Sequence, residues 1–566
     1  MVALLLILAV AFAALVVRLV QVQAIEADRY AAFGESQRVR RIDLPAARGT
    51  IFDRNLHPLA LSVPQQTIWA NPRLVSDPLA EAARLAPVLD KETAEVQEML
   101  TRDSSFVYLA RKVPDRVADE VKSLELDGIY TLEEPKRFLP SKSLAAPVIG
   151  QVGLDNDGLS GLESRYEEQL AGRPGWRIVE RDQGGREITG GVRQHVPSAR
   201  GDDLVLTLDR SIQYETERAL AESVTTNNAK GGMAVVMDSK TGEVLAMANL
   251  VAGEEDGPPQ PAVSNRAVTA VFEPGSVNKL ITVAGAIEEG VIGAEDKLGV
   301  PDTIRVGNHT FSEHDPHPTV SWSITDIVAN SSNVGAIMIG QKLGKERLDA
   351  YLRAFGLGEK TALKLPGESR GLLLDPDKWW TTSMGTTPIG QGLAVTAVQM
   401  LAAYNTVANG GLYVAPKLVK ATVDTDGDSH PTPPSETRRV ISERTAAALV
   451  PMLVEVVTRG TGELAAIDGY SVAGKTGTAR KPAENVRGYK AGAYVSSFAG
   501  FVPAEDPRLS AIVILDEPTP IYGGIVAAPV FAQVANYALR ELRIPPPVPR
   551  DQVVKPSRSG RARMAP

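Results

Sequence analysis

The first 22 residues constrain this chain more than any other stretch. MVALLLILAVAFAALVV is unbroken apolar sequence up to Arg18, and Leu19-Val20-Gln21-Val22 continues it. A helix of about 20 apolar residues spans a bilayer, and an arginine near its end can extend its charge to the interface. The pattern therefore predicts an uncleaved transmembrane helix over residues 1–22. Ala11-Phe12-Ala13 offers a signal-peptide cleavage pattern, but the basic opening segment is missing and the apolar run continues past it. Arg18 follows the span and no basic residue precedes it, the reverse of the positive-inside expectation. Placement of the remaining chain must then be argued from its chemistry.

Composition narrows that chemistry. The chain has 566 residues, 43% of them hydrophobic and 23% charged, an ordinary globular balance with room for several modules. A formal net charge of -8 argues against a nucleic-acid partner, since phosphate recognition wants a basic field. With Cys 0, disulfides, thiolate metal sites and cysteine nucleophiles are excluded together.

From Gln23 to about Arg200 the pattern reads as short strands and turns mixed with acidic amphipathic helices, as over Asp77 to Leu100. The Gly-rich RDQGGREITGG from Arg181 reads as a hairpin or loop. Asp203 to Leu208 alternates as a strand, Ser211 to Ser223 has helical spacing, and two apolar strands flank a Lys240-Thr241-Gly242 turn. AGEEDGPPQP is a surface loop, and apolar helical segments then fill much of Asn278 to Ala408. Strands return at Tyr470 to Ala473, Ser496 to Val502 and Leu509 to Leu515, before a helix over Ala528 to Leu542. Strands at both ends with helices between predict an α+β domain, a central antiparallel sheet with a helical subdomain beside it. The Pro-rich, basic end reads as a disordered tail.

One serine alone is followed by a lysine three positions on, in Ser276-Val277-Asn278-Lys279. Phe272-Glu273-Pro274-Gly275 before it is loop sequence, and LITVAGAIEEG beyond it is a helix ending at a glycine stop signal. Ser276 is thus expected at a helix N-terminus, with Lys279 one turn on along the same face. That arrangement sets a hydroxyl nucleophile beside an amine base in a positive dipole. The same letters also fit an ordinary serine cap and a solvated lysine. Ser331-Ser332-Asn333 lies between apolar helical segments and, taken alone, is a polar cap. Lys475-Thr476-Gly477-Thr478 follows the strand-like YSVAG, where small side chains let a peptide approach a strand edge. Lys240-Thr241-Gly242 repeats three of those letters, but after Asp238 they are turn chemistry.

In the order S-x-x-K, S-x-N, K-T-G these elements form the set of penicillin-binding proteins and serine β-lactamases. Their surroundings, FEPGSVNK, VAGKTGTA, NRAVTAVFEPGS and DSKTGEVLAMAN, resemble the transpeptidase domain of class B penicillin-binding proteins. Arg48-Gly-Thr-Ile-Phe-Asp53-Arg54-Asn55 and Gly158-Leu-Ser-Gly161-Leu162-Glu163 resemble that family's non-catalytic pedestal motifs. The resemblance covers nearly the whole chain outside the tail, with no glycosyltransferase module before Asp203. It implies a penicilloyl-serine transferase (serine β-lactamase-like) fold in four parts. These are a transmembrane anchor over 1–22, an elongated mixed pedestal over 23–202, a transpeptidase domain over 203–545 and the tail over 546–566.

The resemblance also implies acyl transfer from a peptidoglycan stem peptide ending in D-Ala-D-Ala, with β-lactams as competing ligands and no cofactor or metal. Ser276 is then the nucleophile and Lys279 its base, which requires a lysine pKa brought from about 10.4 to near neutrality. Ser331 would relay a proton to the leaving amine, Asn333 would hold the substrate amide, and Lys475 would orient Ser331 and add positive potential. Thr476 and Thr478, either side of Gly477, would bind the terminal carboxylate, and backbone N–H groups of Ser276 and Thr478 would form the oxyanion hole.

Motif contexts and the segment IGQGLAVT are similar to actinobacterial division enzymes. The expectation is a septal transpeptidase of the cytoplasmic membrane, its bulk outside, paired with a polytopic glycosyltransferase and other division proteins. The alternatives are an elongation-type enzyme, a D,D-carboxypeptidase or β-lactamase using the same Ser276, and a silent penicillin-binding sensor or scaffold. Anchor and pedestal favour wall building, and the complete motif set favours catalysis. His309, Glu313, His314 and His317 lie in GNHTFSEHDPHPTV, whose Pro and Gly read as a surface loop and not a zinc site. Arg48, Asp53, Arg54 and Glu163 are expected as one structural ion-pair set.

Overall fold

Val2–Val20 is helical, and the helix continues through Gln21–Ile25 with none of its side chains buried. At 1.5 Å per residue this 24-residue span is about 36 Å long, enough to cross a hydrocarbon core of about 30 Å. The computed structural model describes the chain apart from residues 27, 30–38, 182–186, 255–256, 484–487 and 548–566. Most of the expected basic tail, the tip of the 181–191 hairpin and part of the acidic loop after Leu250 lie outside the described residues.

The pedestal begins as a three-stranded antiparallel sheet of Val39–Leu44, Gly175–Arg181 and Glu187–Val196. Beyond it, Pro58–Ala70 pairs with both Val107–Val113 and Ile129–Phe138. The helices Pro78–Leu89 and Thr93–Leu100 cover that sheet through Ile68, Leu85, Leu100 and Leu109. Asp77 caps the first of them by accepting from Ala80 N at 3.1 Å.

Pedestal and catalytic half share strands. Ile51–Phe52 pairs with Pro58–Ala70 on one side and runs parallel to Asp203–Leu206 on the other, which continues to Val419–Val423. The division expected between residues 202 and 203 therefore crosses a sheet and not a linker. The four-residue ion-pair set expected here is not one set. Arg48 and Glu163 do pair, at 2.9 Å and both 1% exposed, with Arg137 on Glu163 at 2.6 Å and Glu167 on Arg48 at 2.8 Å. Asp53 instead accepts from the backbone N–H groups of Asn55 and His57 in its own turn and of Arg210 from the catalytic half, and its other contact is the His57 ring. Arg54 reaches out of the pedestal to Glu243 at 3.4 Å.

The catalytic half is built on a six-stranded sheet in the order Gln260–Pro261, Val244–Val251, Gly231–Asp238, Leu509–Asp516, Tyr489–Val502, Ala473–Pro482. Every neighbouring pair is antiparallel. Both faces are buried, which is why its strands read as near-continuous apolar runs. Ala234, Val236, Ala511 and Val513 pack under the helices Arg210–Thr226 and Ala528–Glu541 with Leu220 and Phe531. Val235, Met237, Ile512 and Ile514 face the larger core with Ile281, Leu401 and Leu453 from the helices Lys279–Glu288, Ala397–Ala408 and Glu443–Thr458.

Two local expectations change. The strand expected at Tyr470 to Ala473 begins at Ala473 and runs through the K-T-G-T residues to Pro482, because pairing with Tyr489–Val502 overrides the weak strand preference of Lys and Gly. Within the expected surface loop, His309–Ser312 is a strand paired with Thr303–Val306 around Gly307 at φ 60°.

Candidate active site

Ser276 lies in a tight 3-10 turn, Gly275–Asn278, that leads into the helix Lys279–Glu288. The turn is pinned from three directions. Tyr404 OH donates to Val277 O at 2.9 Å, Asn278 Nδ2 donates to Thr387 O at 3.0 Å, and Gly275 N donates to Gly390 O at 2.9 Å. Gly275 has φ 57°, and a Cβ there would stand 3.1 Å from Ala479 Cβ. Only glycine meets both demands where the turn touches the strand.

Lys279 is 1% exposed. Its Nζ donates to Asn333 Oδ1 at 2.8 Å and to Ser331 O at 2.5 Å, and lies 3.3 Å from Ser331 Oγ. Ser331 itself has φ 60°. Burial pushes the Lys279 amine down to about 7, with the Glu313 carboxylate opposing that shift. Lys475, also 1% exposed, is held well below the ordinary lysine value by burial and then by the charge of Lys279. Its Nζ lies 3.3 Å from Thr476 O and 3.4 Å from Thr476 Oγ1, so in this structure the amine sits with Thr476, whereas the family roles place it on Ser331.

The strand Ala473–Pro482 is an edge of its sheet, so alternate backbone groups face away from the neighbouring strand. A Cβ on Gly477 would stand 2.4 Å from Ser497 Oγ and 3.2 Å from Pro274 O, which shows how closely this edge lies against the serine turn. Thr476 Oγ1 and Thr461 Oγ1 are 2.6 Å apart, and Thr478 Oγ1 accepts from Gly523 N at 3.3 Å. Ser276, Ser331, Asn333, Thr476 and Thr478 line one cleft of about 690 Å³. The two lysine amines reach its lining residues from the buried side. Ser276, Lys279, Ser331, Asn333, Lys475, Thr476, Gly477 and Thr478 are therefore brought together.

The second K-T-G is elsewhere. Lys240 and Thr241 form a turn whose N–H groups donate to Asp238 Oδ1 at 2.9 and 2.8 Å, and the Lys240 side chain is 46% exposed. The histidines of the 309–317 segment part company: His309 packs edge-on to Phe311, His314 approaches Tyr522, and His317 sits by Trp322. Three contributors carry no recognisable motif: Tyr404 under the serine turn, Thr461 beside Thr476, and Glu313. Each acts through a contact made over 15 or more positions.

Residues 232–536 match the penicillin binding protein transpeptidase domain, and residues 43–206 match the penicillin-binding protein dimerisation domain. Penicillin-binding protein PbpB of Mycolicibacterium smegmatis is 36% identical over 546 residues, covering 88% of this chain and 84% of that one. Peptidoglycan D,D-transpeptidase FtsI of Escherichia coli K12 is 35% identical over 555 residues, covering 95% and 90%. The crystal structure of penicillin binding protein 3 from Mycobacterium tuberculosis, complexed with aztreonam, superposes with a TM-score of 0.70 at 32% identity, covering 90% of this chain and 99% of that one. With more than half its length inside the transpeptidase match and likeness to its relatives extending through the pedestal, this chain belongs to the penicillin-binding protein transpeptidase family.

Proposed function

We propose that the chain is a serine-type peptidoglycan D,D-transpeptidase of cell division, which cross-links stem peptides through an acyl-enzyme and is acylated by β-lactams. One observation carries the reading: Lys279 is dry, held near neutrality, and committed through its N–H groups to Ser331 and Asn333. A neutral amine whose two hydrogens are so engaged keeps its lone pair to accept a proton.

Ser276 Oγ attacks the carbonyl carbon of the penultimate D-Ala as Lys279 takes its proton. Backbone N–H groups of Ser276 and Thr478 meet the developing oxyanion. The C–N bond then breaks, and Ser331 passes a proton to the departing D-Ala amine. Asn333 holds the peptide amide, while Thr476, Thr478 and Lys475 hold the terminal carboxylate. That arriving negative charge is what favours protonated Lys475 despite its burial. An amine of a neighbouring stem attacks the ester, the new amide forms, and Ser276 regains its proton.

The apolar N-terminal helix supports a single-pass anchor in the cytoplasmic membrane, and the substrate chemistry sets the remaining chain on the outer side. A cross-linker of new strands works beside their polymerase, so a polytopic glycosyltransferase and other division proteins are its partners. The four-part division at residues 22, 202 and 545 belongs to the same reading.

Peptide mapping of the full chain after penicillin treatment tests it. One penicilloyl group on Ser276, absent from Ser276→Ala, is expected, together with cross-linked product from a stem pentapeptide and an amine acceptor. Acylation elsewhere, or none, overturns the site. D-Ala release without cross-links makes the protein a carboxypeptidase.

A further inference from the structure

The helix Asn333–Leu343 carries the S-x-N residues at its start, and a side chain from elsewhere meets its leading N–H groups. Glu313 Oε2 accepts from Asn333 N at 2.8 Å, and Oε1 accepts from Val334 N at 3.0 Å and from Ser332 Oγ at 2.5 Å. Ser332 Oγ accepts in turn from Gly335 N at 2.8 Å. The first three N–H groups are thus all filled, two of them by a residue twenty positions earlier.

Two nearby helices solve the same problem locally. Ser323 with Asp326, and Thr396 with Gln399, form capping boxes in which the third helical residue supplies the reciprocal side chain. At the S-x-N helix that position is Gly335, and it has no room for more: a Cβ would stand 2.7 Å from Ser332 Oγ and 2.8 Å from Ile327 Cγ2. The carboxylate comes instead from the hairpin Thr303–Ser312, anchored by Glu313 N donating to Asp302 O at 3.0 Å. The residue before it completes the grip. Ser312 O accepts from Asn333 Nδ2 at 3.3 Å, which turns the amide so that Oδ1 faces Lys279 Nζ. Ser331, one residue before this capped segment, holds a left-handed backbone that L residues rarely adopt.

We propose that Glu313 is a positioning residue for acyl transfer: by clamping residues 332–334 it sets Ser331 and Asn333 around Lys279, and its negative charge forms part of the field in which Lys279 works. The inference rests on the function proposed above. One charged group acts on this amine, Glu313, while Lys475 is itself held towards its neutral form by burial and by Lys279. Lys475 faces it from the edge strand, and Glu313 from the hairpin, where the neighbouring His314 lines the cleft. Neutralising Glu313 removes an influence that favours protonated Lys279, so the base is freed at lower pH.

Acylation of the full chain by a fluorescent penicillin, followed from pH 5 to 9 alongside thermal melting, tests this in wild type, Glu313→Gln and Glu313→Asp. In Glu313→Gln the rate at pH 8 should fall about 10-fold or more, from misplacement alone, and the acid-limb midpoint should move down by roughly 0.5 pH unit. Glu313→Asp keeps the charge on a shorter arm, so its rate should fall while its midpoint stays near wild type. A lower melting temperature with rate and midpoint unmoved in Glu313→Gln marks a plain helix cap and overturns the inference. Should Glu313→Gln not fold, an unchanged rate in Glu313→Asp overturns it. A wild-type chain that penicillin never acylates takes down the proposed function itself, and this inference with it.

Discussion

The hydroxyl of Tyr404 donates to the carbonyl oxygen of Val277 at 2.9 Å, joining the middle of the helix Ala397–Ala408 to the turn that carries Ser276. Tyr404 is fully buried, so this bond has no water to replace it. Tyr404→Phe keeps the ring and strands a buried carbonyl. The expected cost is about 1–3 kcal/mol, seen as a lower melting temperature together with slower acylation of Ser276. Unchanged kinetics in a destabilised variant would detach the tyrosine from the serine turn.

Lys279 sets the second prediction. A base held at about 7 is protonated below that value and neutral above it, so acylation should accelerate as pH rises through about 7. Lys279→Arg puts a permanently charged group in the same place and should lower the rate by about 10²–10⁴-fold at every pH tested. Stopped-flow acylation across pH reads both.

The two K-T-G triplets make an internal control. Lys475 is buried in the cleft wall, while Lys240 is half exposed in a turn whose geometry depends on Asp238. Lys475→Met should remove most acylation, and Lys240→Met should leave it within about twofold, as surface changes away from special features usually do. A comparable loss in both would mean that the second triplet takes part.

In the pedestal, Arg48→Met leaves Glu163 buried with Arg137 as its remaining arginine partner. Breaking a buried pair from one side costs about 3–5 kcal/mol, and replacing both partners by apolar residues recovers much of that. Thermal unfolding should therefore rank Arg48→Met below the double variant Arg48→Met/Glu163→Met. The opposite order would show that Arg137 and Glu167 depend on Glu163 and Arg48 for more than their charge.

Much of the fold was legible because it is written in short-range patterns. The apolar helix, the Asp238 turn between two strands and the glycine stop at Gly290 are all settled by neighbours along the chain. The edge strand Ala473–Pro482 is longer than its local pattern shows, since its Lys and Gly residues become strand only through a partner that begins at Tyr489. Glu313 does lie in a loop, but its capping contact is not legible because the helix it caps starts twenty residues away.

By itself the sequence determined a helix long and apolar enough to cross a membrane, strands apolar enough to be buried on both faces, and three motifs in a single order along the chain. Those follow from local sterics and from the spacing of apolar residues, which need no knowledge of what lies nearby in space. Only the tertiary structure decided which lysine is dry. The letters set the Lys240 turn apart from the Lys475 strand but carry no burial: one lysine is 1% exposed and the other's side chain 46%. The loss of water that shifts an amine belongs to the packing around it, and that packing here is drawn from residues as far apart as Ser276, Glu313, Tyr404 and Gly477.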